Sequence, residues 1–295
     1  MLEIKSGENR LGLYPEYGGS IAYWFRGDMA VFYPVTDSRL IAQDNKMISA
    51  YPLVPYSNRI AGGKFNFKGC DYQLKPNFEG EENTIHGNGW ERPWKLELLE
   101  EHKATFVLHH NPPTDPADQW PFAYKAYITY EVSGDGLAVY MQITNKDDKI
   151  QPVGMGFHPY IPRYNKVELG FSAQSIWNNG SDHLPEGRMF IDGRWSFDHM
   201  REVNHKEKLD NCYAGWQRIL FIRWKNIGMN LTVTASNNFD HLVIYTPTDY
   251  PYFTAEPATN MNNAINMPEI SDRGLYLLKP NESIKGHIFY SLSAI

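Results

Sequence analysis

Tyr127-Ile128-Thr129-Tyr130-Glu131-Val132-Ser133-Gly134-Asp135-Gly136-Leu137-Ala138-Val139-Tyr140-Met141-Gln142-Ile143 reads as a strand, a turn and a second strand. In the second arm Leu137, Val139, Met141 and Ile143 fall on one face, and Ala138, Tyr140 and Gln142 on the other. That period of two is the mark of a half-buried strand. Ser133-Gly134-Asp135-Gly136 accepts the positive φ angles that tight connections need, so the arms are expected to pair antiparallel as a hairpin.

The same pattern recurs outward from this hairpin. Met229, Leu231, Val233 and Ala235 alternate with Asn230, Thr232 and Thr234, a second half-buried strand. Ile219–Trp224 is apolar on both faces, as a strand sandwiched between layers would be. Phe106–His109, His241–Tyr245 and His287–Ser291 are further candidate strands. Helical periodicity is poor, and the best short helix candidate lies at Glu207–Tyr213. The proline-rich stretch Asn111–Pro116 is short and flanked by strand patterns, so it is a loop and not a linker. The expectation is an all-β chain, one large antiparallel domain over residues 1–295; all-β sandwiches and barrels of 200–250 residues as one unit are common.

Composition fits that expectation. The chain is 42% hydrophobic and 21% charged, an ordinary globular balance, and its 19 Tyr, 15 Phe and 8 Trp favour strands. A formal net charge of −6 leaves no basic face for phosphate neutralisation, so no nucleic-acid partner is expected. The charged run Arg201–Lys208 alternates in sign and reads as solvated surface. No apolar run approaches the ~20 residues of a membrane helix, and no apolar export segment follows Met1. With only Cys70 and Cys212, no disulfide framework is expected, and each cysteine reads as a small buried or half-buried residue. These features together fit a cytoplasmic protein without membrane association, either a monomer or a homodimer.

Motifs for nucleotide binding, zinc proteolysis, serine hydrolysis and thiol redox chemistry are absent from the sequence. The one adjacent histidine pair, His109-His110, would point to opposite faces of a strand and cannot converge on one ion, so no metal is expected.

Five segments instead combine Gly or Pro punctuation with specific polar residues. Pro52 and Pro55 force extended backbone just before Asn58-Arg59, and an Arg there offers a donor fork suited to hydroxyls or to a salt bridge. His86 is followed by Gly87 in Asn83–Trp90, where backbone can approach a ligand closely or a turn can be capped. Gly154-Met155-Gly156-Phe157-His158-Pro159-Tyr160 places a His in backbone that the following Pro keeps extended. Asp210 sits in the apolar setting Lys208–Tyr213, either as an acidic site residue or as a helix N-cap. Glu256 ends the aromatic run Tyr252–Ala255 just before Pro257, and a carboxylate there is costly unless paired or working.

These segments, in this order, resemble the aldose 1-epimerase (galactose mutarotase) family. The likeness is carried by Asn58-Arg59-Ile60-Ala61-x-Gly63-x-Phe65, His86-Gly87, Gly156-Phe157-His158-Pro159-Tyr160, Leu209-Asp210 and Glu256-Pro257-x-Thr259, with Gly18-Gly19-Ser20-Ile21 fitting the family's first strand turn. It spans nearly the whole chain. Each motif is weak singly; their order and spacing are specific. The resemblance implies a large β-sandwich, the supersandwich, with an open sugar-binding cleft across one sheet and no cofactor. It also implies roles: His158 as general acid, Glu256 as general base, and Asn58, Arg59, His86, Tyr160 and Asp210 as ligands for the hydroxyls of a free aldose. Better-known galactose mutarotases carry Asn before the catalytic His and often Asn-Gln after the Glu. Here the residues are Phe157 and Pro257-Ala258, which places the chain in a divergent branch and leaves the sugar open.

The chemistry implied is hemiacetal opening and reclosure, for which one acid and one base suffice. At neutral pH Glu256 is expected to be ionised and His158 protonated, with a carboxylate such as Glu256 or Asp210 favouring the imidazolium. Two rival functions share the fold: a non-catalytic carbohydrate-binding protein, and a sugar-phosphate epimerase, which would need more basic residues than Arg59 alone. A glycoside hydrolase would want paired carboxylates where this chain offers His with Glu.

Overall fold

A computed structural model describes residues 1–35, 48–203 and 206–295. Asn204 and His205, inside the charged run Arg201–Lys208, lie outside the described residues. Two large antiparallel sheets dominate. The first, of eleven strands, runs in the order Leu2–Ser6, Asn9–Tyr14, Ser20–Arg26, Ala50–Leu53, Gly156–Pro162, Tyr252–Ala258, His241–Tyr245, Asp210–Ala214, Ser175–Asn179 and Pro185–Met189, with Met29–Phe32 paired beside Ser20–Arg26. The second, of nine, runs Lys95–Leu99, Lys103–His110, Tyr124–Val132, Gly136–Asn145, Ser283–Ala294, Met229–Ala235, Ile219–Trp224, Glu168–Phe171 and Arg201–Glu202.

The sheets stack face to face, and the shared core is where period-2 patterning is spent. Phe157 and Ile161 of the first sheet and Tyr130, Val139, Ile143 and Tyr290 of the second belong to one buried cluster. Phe157 lies 6.2 Å, ring to ring, from both Tyr130 and Tyr290, and Trp24 and Phe32 reach Tyr290 at 6.2 and 5.2 Å. Buried polar edges find partners across the layers: Tyr130 donates its hydroxyl hydrogen to the Gly19 carbonyl at 2.7 Å, and Trp224 Nε1 donates to Pro162 O at 2.7 Å.

The hairpin forms as expected, with Val132 opposite Leu137 and Tyr124 opposite Asn145. Its glycine requirement has a different origin. Gly134 does not adopt positive φ, and a Cβ on Gly136 would lie 1.9 Å from the Tyr290 carbonyl oxygen. Gly136 is therefore demanded mainly by close approach of the neighbouring strand. Asn9 Nδ2 donates to Ser133 O at 2.8 Å, tying this turn back to the other sheet.

Three expectations are corrected. Glu207–Tyr213 is not a helix: Asp210–Ala214 is a strand whose residues pair with His241–Tyr245, so sheet pairing overrides a weak local preference and Asp210 caps nothing. Ile219–Trp224 is not covered on both faces: Leu220, Ile222 and Trp224 are buried, but Phe221, on the opposite face, is 42% exposed. Cys70 is exposed, whereas Cys212 is buried as expected. The remaining candidate strands, and the loop at Asn111–Pro116, stand where the pattern put them. Among the described residues no helix is long and apolar enough to cross a membrane.

Phe157 tests the core next to the site. Phe157→Ala removes a ring wedged between the sheets and is expected to cost about 3–5 kcal/mol of unfolding free energy, measured by urea denaturation. A loss below about 1 kcal/mol would mean the two layers do not depend on this contact.

Candidate active site

Strand Gly156–Pro162 is central in the first sheet, between Ala50–Leu53 and Tyr252–Ala258. Alternation sends Phe157 and Ile161 into the core and His158 and Tyr160 to the opposite face. His158 faces Tyr51 across one pairing. Across the other, Gly156 opposes Ala258 and Tyr160 opposes Thr254, so His158 and Glu256 fall between those pairs. Farther along the sheet Val243 opposes Glu256, Tyr245 opposes Thr254, and Asp210 opposes Tyr245. Two cross-strand rows thus form the floor of a cleft: Tyr51, His158, Glu256 and Val243, then Tyr160, Thr254, Tyr245 and Asp210. The cleft has a volume of about 370 Å³, within the usual range for small-molecule sites.

Loops build the wall. The Asn58 amide donates to His86 Nδ1 at 3.2 Å, and the His86 amide donates to Asn58 O at 2.9 Å. Both residues take positive φ, 64° and 63°, held by this reciprocal clamp. Gly87 must be glycine, because a Cβ would lie 2.1 Å from Val54 O. Arg59 donates from Nε and Nη2 to the two oxygens of Glu81 at 3.3 and 2.8 Å, and its Nη1 lies 3.8 Å from Asp210 Oδ2. Burial works against the Arg59 charge, but Glu81 and Asp210 outweigh it and keep the guanidinium protonated. Asp210 also holds His183 Nδ1 at 3.2 Å, a hydrogen bond that raises the His183 pKa.

His158 Nε2 and Glu256 Oε1 are 3.2 Å apart, both buried. Tyr51 stacks on the imidazole at 4.6 Å with planes 13° apart, and Thr254 donates its hydroxyl hydrogen to Glu256 Oε1 at 2.7 Å. Glu256 Oε2 is buried and has no hydrogen-bond partner among the described residues. Burial lowers the His158 pKa to about 3 and raises that of Glu256 to about 8. This corrects the expected charges. In the resting cleft the pair holds one proton, and desolvation favours its neutral placement on Glu256 over an ion pair.

The ligand atoms of His86, His158 and Glu256 lie within 4.8 Å of one another, a convergence that spacing in the sequence did not reveal. Two imidazoles and a carboxylate are a known metal-ligand set. Here the donor chemistry is against it. Nδ1 of His86 accepts the Asn58 N–H, so the neutral ring carries its hydrogen on Nε2 and has no lone pair to give there. Burial keeps His86 neutral, its pKa well below the ordinary value. His86 Nε2–H is left as a fixed hydrogen-bond donor.

A family model for aldose 1-epimerases matches residues 1–291. The chain belongs to the aldose 1-epimerase family. Solved structures of a mutarotase-like protein and of an aldose epimerase homologue agree with it in fold over nearly their full lengths. A galactose mutarotase-like protein from Clostridium acetobutylicum superposes with a TM-score of 0.86 at 18% identity, covering 99% of this chain and 95% of the other. The aldose epimerase homologue from C. elegans gives 0.85 at 17% identity, covering 100% and 98%. In sequence, the uncharacterised protein YphB of Escherichia coli (strain K12) is 24% identical over 282 residues, 91% of this chain and 90% of its own.

All seven residues that the family resemblance marked, His158, Glu256, Asn58, Arg59, His86, Tyr160 and Asp210, line this one cleft. Tyr51, Glu81, His183, Tyr245 and Tyr252 line it as well and were not singled out from the sequence. Tyr252 stands inside the run Tyr252–Ala255 and Tyr51 directly before Pro52, where period-two counting from Glu256 and pairing with His158 find them once the strand neighbours are known. Glu81 and His183 come from loops with no periodicity to read.

The buried carboxyl makes a stability prediction. With its folded pKa raised above the ordinary 4.5, Glu256 binds a proton that the unfolded chain releases, so its contribution falls as pH rises from about 4.5 to about 8. The lowered His158 works the opposite way between about 3 and 6.5, leaving Glu256 alone above that. Glu256→Gln is therefore expected to gain stability relative to the parent as pH climbs from 6.5 to 8.5, measured by urea denaturation. A difference independent of pH would show that Glu256 titrates normally.

Proposed function

We propose that the protein interconverts the α and β anomers of a free aldose by acid–base opening and closing of the sugar ring, with His158 and Glu256 as the acid–base pair. The single observation carrying this reading is their 3.2 Å contact on the floor of a cleft ringed by hydroxyl-binding groups. Anomerisation moves one proton from the C1 hydroxyl and another to the ring oxygen, then reverses both. A pair holding one proton supplies an acid and a base together, and its net protonation is the same before and after each half-reaction.

In this reading Glu256 takes the C1 hydroxyl proton and His158 protonates the ring oxygen. The resting proton must then pass from Glu256 to His158 across the hydrogen bond when sugar enters. Nearby groups bear on that transfer. Asp210 raises the pKa of His158 and of Glu256 alike and so selects neither placement, whereas Arg59 and the Thr254 hydroxyl lower that of Glu256; with sugar hydroxyls on Glu256 Oε2 to offset desolvation by burial, these favour the imidazolium–carboxylate form. His86 Nε2–H, Arg59, Asn58, Asp210 and the hydroxyl of Tyr160 would orient the ring, and orientation is a large part of what a cofactor-free isomerase can contribute. The alternatives, a carbohydrate-binding protein and a sugar-phosphate epimerase, have less support: a mere binder has no use for a costly buried acid–base pair, and Arg59 is already held by Glu81 and Asp210.

Polarimetry of fresh α-glucose and α-galactose, with the spontaneous rate subtracted, is the direct test. Glu256→Gln and His158→Asn are each expected to lower kcat by about 10²–10⁴-fold with little change in sugar affinity; near-normal turnover by either removes the pair from the chemistry. The rate constant kcat/KM should hold steady near neutrality and fall as pH rises past about 8, where the free pair loses its proton. A profile still level at pH 9.5 would contradict the shared-proton account. Arg59→Ala should raise KM and lower kcat together, and an unchanged KM would take Arg59 out of sugar binding.

A further inference from the structure

The last two strands of the first sheet, Ser175–Asn179 and Pro185–Met189, are joined by a short turn, residues 180–184. His183 of this turn lines the cleft beside Arg59, Glu81 and Asp210, its side chain 40% exposed. A histidine on a loose turn at a sheet's edge would mean little. This turn is tied to the cleft wall at two consecutive residues. Asn262 is 1% exposed; its Oδ1 accepts the Arg59 amide hydrogen at 3.2 Å, and its Nδ2 donates to His183 O at 2.6 Å. Asn83, also buried, repeats the arrangement: Oδ1 accepts the Gly62 amide hydrogen at 2.9 Å, and Nδ2 donates to Asp182 O at 3.2 Å.

Backbone and side chain of His183 are both fixed. Its φ of 62° is a left-handed conformation that few non-glycine residues adopt, and such a conformation persists where the surroundings over-determine it. Within the turn its amide donates to Gly180 O at 3.1 Å. Nδ1 lies 3.2 Å from Asp210 Oδ2, and because a carboxylate only accepts, Nδ1 carries a hydrogen. Nε2 takes no part in that bond and has no hydrogen-bond partner among the described residues. It donates when the ring is protonated and accepts when the ring is neutral, and a hydroxyl group answers either state. An anion is less well served, since Arg59 and His183 already face Glu81 and Asp210, two acids for two bases.

We propose that His183 is a specificity-determining residue of the cleft, its Nε2 hydrogen-bonded to one particular hydroxyl of the bound aldose while Nδ1 stays on Asp210. His183 grips the sugar and moves no proton at C1 or at the ring oxygen, so its loss weakens binding and spares the chemical step. Asn83 and Asn262 are positioning residues that hold it there. The inference rests on the anomerase reading for the aldose as ligand.

His183→Asn is the test, because Asn tolerates left-handed backbone and keeps a donor near Nδ1 for Asp210, but has nothing where Nε2 stands. Binding of glucose and galactose is read by NMR titration and turnover by polarimetry. The variant is expected to weaken Kd and raise KM about three- to tenfold, with kcat within about twofold of the parent. Analogues of the sugar that each lack one hydroxyl, at C1, C2, C3, C4 or C6, then locate the contact. For one analogue the parent and the variant should bind alike, and for the others the deficit of the variant should persist. Unchanged affinity in His183→Asn overturns the proposal. So does a deficit of equal size for every analogue, which would make His183 a support for Asp210 alone. If sugars bind but are not turned over, the anomerase reading fails by itself and the analogue series still decides His183; if the parent binds neither sugar, both fall.

Discussion

One antiparallel pairing organises this protein. Where Gly156–Pro162 runs beside Tyr252–Ala258, a histidine and a glutamate separated by almost a hundred residues of chain come to within 3.2 Å on the same face of a sheet. Both strands are buried along nearly their whole length, and on their other face Phe157, Ile161, Phe253 and Ala255 pack into the core. The pair cannot slide by one residue without sending its side chains into that core and core rings into the cleft. Packing between the sheets is thus what holds the reacting groups in register.

The same burial sets the electrostatics. Desolvation lowers the affinity of His158 for a proton and raises that of Glu256, so the resting pair is neutral and carries one proton instead of standing as an ion pair. Charges are kept to the wall, where Arg59 is divided between Glu81 and Asp210, and Asp210 in turn holds His183. A neutral floor within a charged rim gives a proton-transfer site whose balance a substrate's hydroxyls can tip, since each hydrogen bond to Glu256 Oε2 favours the carboxylate. His86 adds a fixed donor, its tautomer chosen by a backbone amide and not by a titrating neighbour.

Much of this was legible beforehand. Period-two patterning located most strands, and the ordered set of weak motifs pointed to the family and to seven residues that share the cleft. Local signals failed where the decision was not local. Glu207–Tyr213 has faint helical spacing, but sheet pairing with His241–Tyr245 makes a strand of its second half. Ile219–Trp224 is apolar throughout, and only the stacking of layers reveals that Phe221 faces outward. Tyr51 was missed although it adjoins the marked Pro52, because its role comes from lying opposite His158 on another strand.

The sequence by itself determined that the chain would form antiparallel strands, because alternation is a property of neighbouring residues, and it marked His158 and Glu256 among the candidate site residues, because Gly and Pro beside a His or Glu are visible in a single segment; their acid–base roles came from the family resemblance. Only the tertiary structure decided which of those groups touch, what charge burial favours on them, and which aromatic ring stacks on His158. Register and desolvation arise from residues far apart in the chain, and no window along the sequence contains them.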